Sequence, residues 1–249
     1  MDYNKLKQCY DMILNDNLSL KIDSFSVVKT VHDLREFWKP KNVKVILLAE
    51  SHVYTKDDEW EILLKPDSSL PKNCHNHFVR FVYCLGYGED HLLSNPVRKN
   101  SGTFQYWEIF YSCLNNVRLN NHDFSFILKT GTKDKNIRIR NKIDLLNSLK
   151  EHGIWLVDAS IVGINNEKKL VNRKKIIELC WNNYIGDLIR SVKPQHIIII
   201  GKTVADVLER NLNGTSIKWT WMFQPQARKP SSVHHAAFDH YFNVCNNCK

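Results

Sequence analysis

The chain lacks any apolar run near the roughly 20 residues that a membrane-spanning helix needs, so no such span is expected. Its first residues, MDYNKLKQCYDMIL, carry acids and no apolar signal core, and export is not expected either. There is no Gly-x-Gly-x-x-Gly, and Gly201-Lys202-Thr203 has no upstream glycine at the spacing of a phosphate-binding loop. The usual nucleotide cradles are therefore missing. No internal repeat, low-complexity tract or long linker interrupts the chain, which argues against a solenoid or a disordered linker protein. The seven cysteines are odd in number and scattered, so they read as reduced thiols of a cytoplasmic or nuclear protein, not a disulfide framework. Cys245 and Cys248 form half a zinc site at most, and neither a metal nor another cofactor is expected.

What is present is an ordinary globular composition with excess positive charge. Of 249 residues, 43% are hydrophobic and 24% charged, and the formal net charge is +9. A field of that sign favours polyanions, of which phosphate backbones are the commonest. Two stretches concentrate it: KTGTKDKNIRIRNK at 129–142, with a single Asp, and KKLVNRKK at 168–175, with no acid. A charge run is by itself a solvated face, but two in one basic chain make DNA the expected partner.

Helical and strand patterns alternate along the chain. VHDLREFW, HFVRFVYCLGY, SGTFQYWEIFYSCLNN, IDLLNSLKEHG, KKIIELCWNNYIGDLIRSVKP and KTVADVLERNLNG have helical spacing. The apolar runs at 43–49, 154–160 and 196–201 read as buried strands, and SIKWTWMFQ at 216–224 alternates like a fourth. A turn into a last helix follows. This alternation implies one α/β domain over 1–249. It would be a three-layer α/β/α sandwich around a four-stranded, mostly parallel sheet, with a helical extension over about 1–40 and a short tail at 243–249. Polar residues collect where strands end, where open α/β sheets hold their ligands.

The order of these motifs resembles the uracil-DNA glycosylase superfamily. IIIIGKTVADVLERNL (197–212) is similar to the strand-helix "LLLLGKTAAEALLG" of its thermostable branch, whose cluster cysteines are absent here. AESHVY (49–54) falls where the family has GQDPYH or GEAPG, which aligns Glu50 with the Glu of GEAPG and Ser51 with the Asp of GQDPYH. SGTFQ (101–105) resembles GRPFVG, and WLVDAS (155–160) resembles the strand ending in the uracil-reading Asn, here Asp158. VHHAAF (233–238) resembles HPSPL. The first motif lacks the family's Pro, and the last has His235 in its place.

The resemblance implies a monomeric DNA glycosylase that flips a base out and hydrolyses its bond to the sugar. On it, Glu50 orients water or steadies the cationic sugar, and His234 donates to the leaving base. Phe104 stacks on the flipped ring, while Asp158 and Ser51 bind the base. His52, Lys202, Ser232 and His235 contact DNA, and Phe238 fills the gap left in the duplex. Asp158 modifies this expectation. Asn both donates and accepts, whereas an ionised Asp only accepts. The resemblance implies uracil as the target, but a carboxylate there repels the O4 of uracil and welcomes an exocyclic amine, so a modified cytosine or another amino-bearing base stands beside uracil as the expected target, in repair or in defence against foreign DNA. Each residue also has a structural explanation: Glu50 and Asp158 as helix caps, His234 as a surface group, Phe104 as core. Two other readings of the whole remain. One is a DNA-binding relative that has lost the chemistry, and the other is a small-molecule enzyme with a nucleotide at its strand ends.

Overall fold

The computed structural model describes residues 3–16, 21–66 and 70–248. Four short strands, β1 (Val45–Ala49), β2 (Ile154–Asp158), β3 (His196–Ile200) and β4 (Lys218–Met222), pair in the order β2-β1-β3-β4, every pair parallel. Their sequences are mostly β-branched or aromatic and apolar on both faces, as a parallel sheet covered by helices requires.

Alternate residues of each strand enter two separate cores. Val45, Leu47, Leu156 and Ile198 face one side, with residues of α2 (Phe25–Phe37), α4 (Phe104–Leu114), α5 (Lys135–His152) and α9 (Ser231–Asn247). Ile46, Leu48, Trp155 and Ile197 face the other, with residues of α1 (Tyr3–Asn15), α6 (Leu170–Cys180) and α8 (Lys202–Asn213). A short helix, α3 (Asp57–Trp60), follows β1, and a π turn joins α6 to α7 (Gly186–Val192). The expected α/β class and four-stranded parallel sheet are what the chain adopts, in an arrangement consistent with three layers. Among the described residues no helix is long and apolar enough to cross a membrane.

The edge strand β2 is tied to neighbouring elements through two bonds. The Tyr83 hydroxyl accepts from the Leu156 N–H at 2.9 Å, and the Trp155 indole donates to the Arg35 carbonyl at 2.9 Å. Strand edges left open invite pairing with other chains, and the Tyr83 hydroxyl occupies one backbone donor of this one. Gly153 caps α5 with φ +79, and a Cβ there would lie 2.7 Å from the Asn42 carbonyl oxygen, so the tight entry into β2 requires glycine.

Three elements differ from expectation. The segment 77–87 is not a helix but a run of turns, with Cys84 N–H bonded to Phe81 and Tyr87 N–H to Cys84. Phe78, Val79, Phe81, Val82 and Tyr83 are all buried, and residues buried on every side leave no amphipathic stripe for a helix to present. Helix α5 begins at Lys135, earlier than its apolar pattern, because Asp134 caps it by accepting from the N–H groups of Asn136 and Ile137. The basic run 129–142 is also not simply a solvated face. Arg138 and Lys142 are buried and both bind the buried Glu89 carboxylate, at 2.6 and 2.8 Å.

Candidate functional site

The chain leaves β1 toward β2 over one face of the sheet and leaves β3 toward β4 over the other, so the carboxyl ends of β1 and β3 flank a topological switch point. Loops diverge there and leave a hollow where ligands of such sheets bind. A cavity of about 260 Å³ occupies this place, with Glu50, Ser51, His52, Phe81, Tyr106, Asp158, Arg173, Gln224 and Gln226 among its walls. It is smaller than the 300–1,000 Å³ or so of pockets for drug-sized ligands, and its size suits one flat ring.

Asp158, the last residue of β2, is 1% exposed. Its Oδ2 lies 3.7 Å from the Arg35 guanidinium and 3.6 Å from His52 Nδ1, too far for a direct hydrogen bond to either. His52 follows β1 by three residues and is itself buried. Its Nε2 meets Asp23 Oδ2 at 3.2 Å. Burial alone would lower the pKa of this imidazole. Asp23 and then Asp158 outweigh burial and hold it at about 9, up from 6.5. The ring is therefore an imidazolium at neutral pH, with a proton on each nitrogen. Two carboxylates, one imidazolium and one guanidinium form a buried cluster of balanced charge.

Asp23 organises the loops around this cluster. It accepts from the Thr55 N–H at 2.7 Å and the Gly163 N–H at 2.5 Å, which ties the chain after β1 to the chain after β2. Glu50 follows the last residue of β1 and also lines the cavity. Arg173 donates to its Oε1 from Nε at 3.1 Å and from a terminal nitrogen, and the Gln224 amide donates to its Oε2 at 3.3 Å. The Ser51 hydroxyl accepts from the Ile164 N–H at 3.2 Å. Tyr106, in the first turn of α4, keeps its hydroxyl proton, because burial and then Asp158 and Glu50 push its pKa far up.

The expected site residues divide in two. Glu50, Ser51, His52 and Asp158 share the cavity. His52 is 4% exposed and bonded inward, so it is no surface contact for DNA. Phe104 lies outside this cavity. It is 50% exposed at the start of α4, and the rings that line the cavity are Phe81 and Tyr106. The segment 233–238 was expected in a strand-end turn, but it lies inside α9. His234 there bonds to the Ala227 carbonyl at 3.1 Å and does not line the cavity. His235 stacks on His122 at 3.6 Å. Phe238 is 8% exposed and packs against Phe124 at 5.0 Å, so its ring is core and not a wedge. Ser232 is exposed near the start of α9, and Lys202 pairs with Asp206 at 2.6 Å on α8. Cys245 is buried on α9.

Sequence reasoning missed Asp23, Arg35, Arg173, Gln224 and Gln226. Arg173 lay in a recognised basic run. Gln224 and Gln226 flank Pro225 in the loop that follows β4. Among the described residues, no group of three or more His, Cys, Asp and Glu could hold a metal ion. The chain matches no protein-family model and no curated protein.

Proposed function

We propose that the chain is a DNA glycosylase, a divergent relative of the uracil-DNA glycosylase superfamily, that excises an amino-bearing base such as a modified cytosine. The observation that carries this reading is the setting of Asp158. An acceptor-only carboxylate stands in a ring-sized cavity at the end of a parallel strand, balanced by Arg35 and an imidazolium, with no donor in direct contact. A cytosine-like ring between Phe81 and Tyr106 would offer its N4 amine to that carboxylate. Uracil would turn its O4 toward the same charge and be repelled.

The chemistry follows from the remaining walls. Water adds to C1′ of the sugar as the C1′–N bond breaks, the electron pair leaves with the base, and the proton that water gives up passes by way of the Glu50 carboxylate to the departing base. Negative charge then develops on the base, largely at its ring carbonyl, where the amides of Gln224 and Gln226 are the available donors. In the superfamily a His-Pro sequence follows the last strand. Gln224-Pro225 stands in that position here, and Gln takes the role first assigned to His234. Glu50 is the carboxylate for water or for the cationic sugar, oriented by Arg173. The net charge of +9 favours a DNA partner.

One observation favours a second reading, a DNA-binding relative without catalysis. Both oxygens of Glu50 already have partners, Arg173 and Gln224, so a water must share them. An abasic-site assay separates the two. Labelled oligonucleotides carrying one uracil, cytosine, modified cytosine or hypoxanthine are incubated with the protein and cleaved with alkali. Cleavage at an amino-bearing base, lost in Glu50→Gln, supports the glycosylase. Binding without cleavage of any of them supports the second reading.

A further inference from the structure

The cavity of Asp158 has a neighbour. A second hollow of about 370 Å³ is lined by Gly88, Gly102, Phe104, Trp107, Leu128 and Lys129, among others. Thr103 belongs to both hollows, so they adjoin. Gly88 and Gly102 have φ +91 and +73, and a Cβ on either would come within 3.1 or 3.0 Å of the other's Cα. Two loops thus meet backbone to backbone, and these glycines give the hollow a wall without side chains. Phe104 stands at its edge half exposed, while Trp107 is buried. Lys129 is exposed beside them.

The boundary between the hollows is polar and unpartnered. Thr103 is the N-cap of α4, yet its side chain caps nothing, and its hydroxyl is buried with no hydrogen-bond partner. The first N–H groups of a helix have no acceptor within it, and the positive end of the helix dipole lies there.

We propose, resting on the glycosylase reading, that the second hollow receives the base next to the excised one on the same strand. Phe104 stacks on that base. Two neighbouring bases held in separate hollows cannot both stay paired and stacked in a duplex. The substrate is therefore single-stranded or locally unpaired DNA, and Phe104 serves the neighbour, not the target. The burial of Phe238 agrees, because a single strand leaves no gap for a wedge to fill. Aromatic platforms in basic surroundings are how single strands are held without sequence readout.

The test measures the affinity of short single-stranded oligonucleotides with a central cytosine by fluorescence anisotropy. A base-less tetrahydrofuran replaces the 5′ neighbour, the 3′ neighbour or neither. Removing the neighbour on one side weakens binding about tenfold, and removing the other weakens it much less. Phe104→Ala binds the intact strand about tenfold more weakly and loses this asymmetry, while Phe104→Tyr keeps both. Equal sensitivity on the two sides, an asymmetry that survives Phe104→Ala, or tighter binding of the matched duplex overturns this inference and leaves the glycosylase reading standing. Failure to bind either these strands or the matched duplex overturns both.

Discussion

The buried imidazolium gives a pH dependence whose sign and size follow from the site. His52 is held at about 9 in the folded chain, against 6.5 when solvated. The folded state therefore keeps its proton where the unfolded state has lost it. That stability is fully present below pH 6.5 and is lost as pH rises through about 9. At 1.36 kcal/mol per pH unit, the interval amounts to about 3 kcal/mol. That is a large part of the 5–15 kcal/mol or so that holds a typical domain together. Urea denaturation followed by tryptophan fluorescence, repeated between pH 6 and 10, measures the loss. Buried thiols and tyrosines with raised pKa values add slope of the same sign at the alkaline end. The readout is therefore the difference between wild type and His52→Gln. The variant is weaker at every pH, because Asp23 and Asp158 lose their shared counter-charge, but it lacks the decline centred between 6.5 and 9. An equal decline in both proteins would refute the imidazolium. Asp23→Asn, which removes the stronger of its two partners, is expected to move the decline to lower pH.

Two other outcomes follow. Glu89 is buried between Arg138 and Lys142, which outweigh its burial and hold its carboxyl at about 2, down from 4.5. Its stabilisation is present above pH 4.5 and lost as pH falls toward 2, and Glu89→Gln, which leaves two buried cations unpaired, costs about 3–5 kcal/mol in the same denaturation assay. Arg98 and Lys99 border a cleft that shares Arg80 and Asn165 with the Asp158 cavity, and among the described residues neither has a carboxylate within 4.0 Å. Arg98→Gln and Lys99→Gln should each reduce the salt dependence of single-strand binding by about 0.7 in the log–log slope, and an unchanged slope removes them from the DNA surface.

Much of the sheet was legible because its strands declare themselves. HIIII and VILLA have no other place than between two helical layers, and the four runs named from the pattern are the four that pair. Glu50 and Asp158 were found because a polar residue ending such a run is conspicuous. The rest was hidden for identifiable reasons. Asp23 acts on residues 29 to 140 positions away, and nothing local marks it. Arg173 looked like one more solvated base, and only the fold turns it toward Glu50. The alternation of SIKWTWMFQ ran on past the true end of β4 at Met222, which hid Gln224 inside an expected strand. The paired histidines then drew the last motif onto α9. The segment 77–87 shows the limit of periodicity. A run buried on all sides obeys no helical stripe, yet its rings reproduce the spacing by chance.

The central claim is that Asp158 selects an amino-bearing base, and its exchange for Asn tests this directly. Free base released from single-stranded oligonucleotides with a central modified cytosine or uracil is measured by mass spectrometry, for wild type and Asp158→Asn. Wild type is expected to release the cytosine-type base. The variant should shift the ratio of the two rates toward uracil by about 10- to 100-fold, the worth of one base-edge contact. Release of uracil by wild type with no change of preference in the variant would contradict the account.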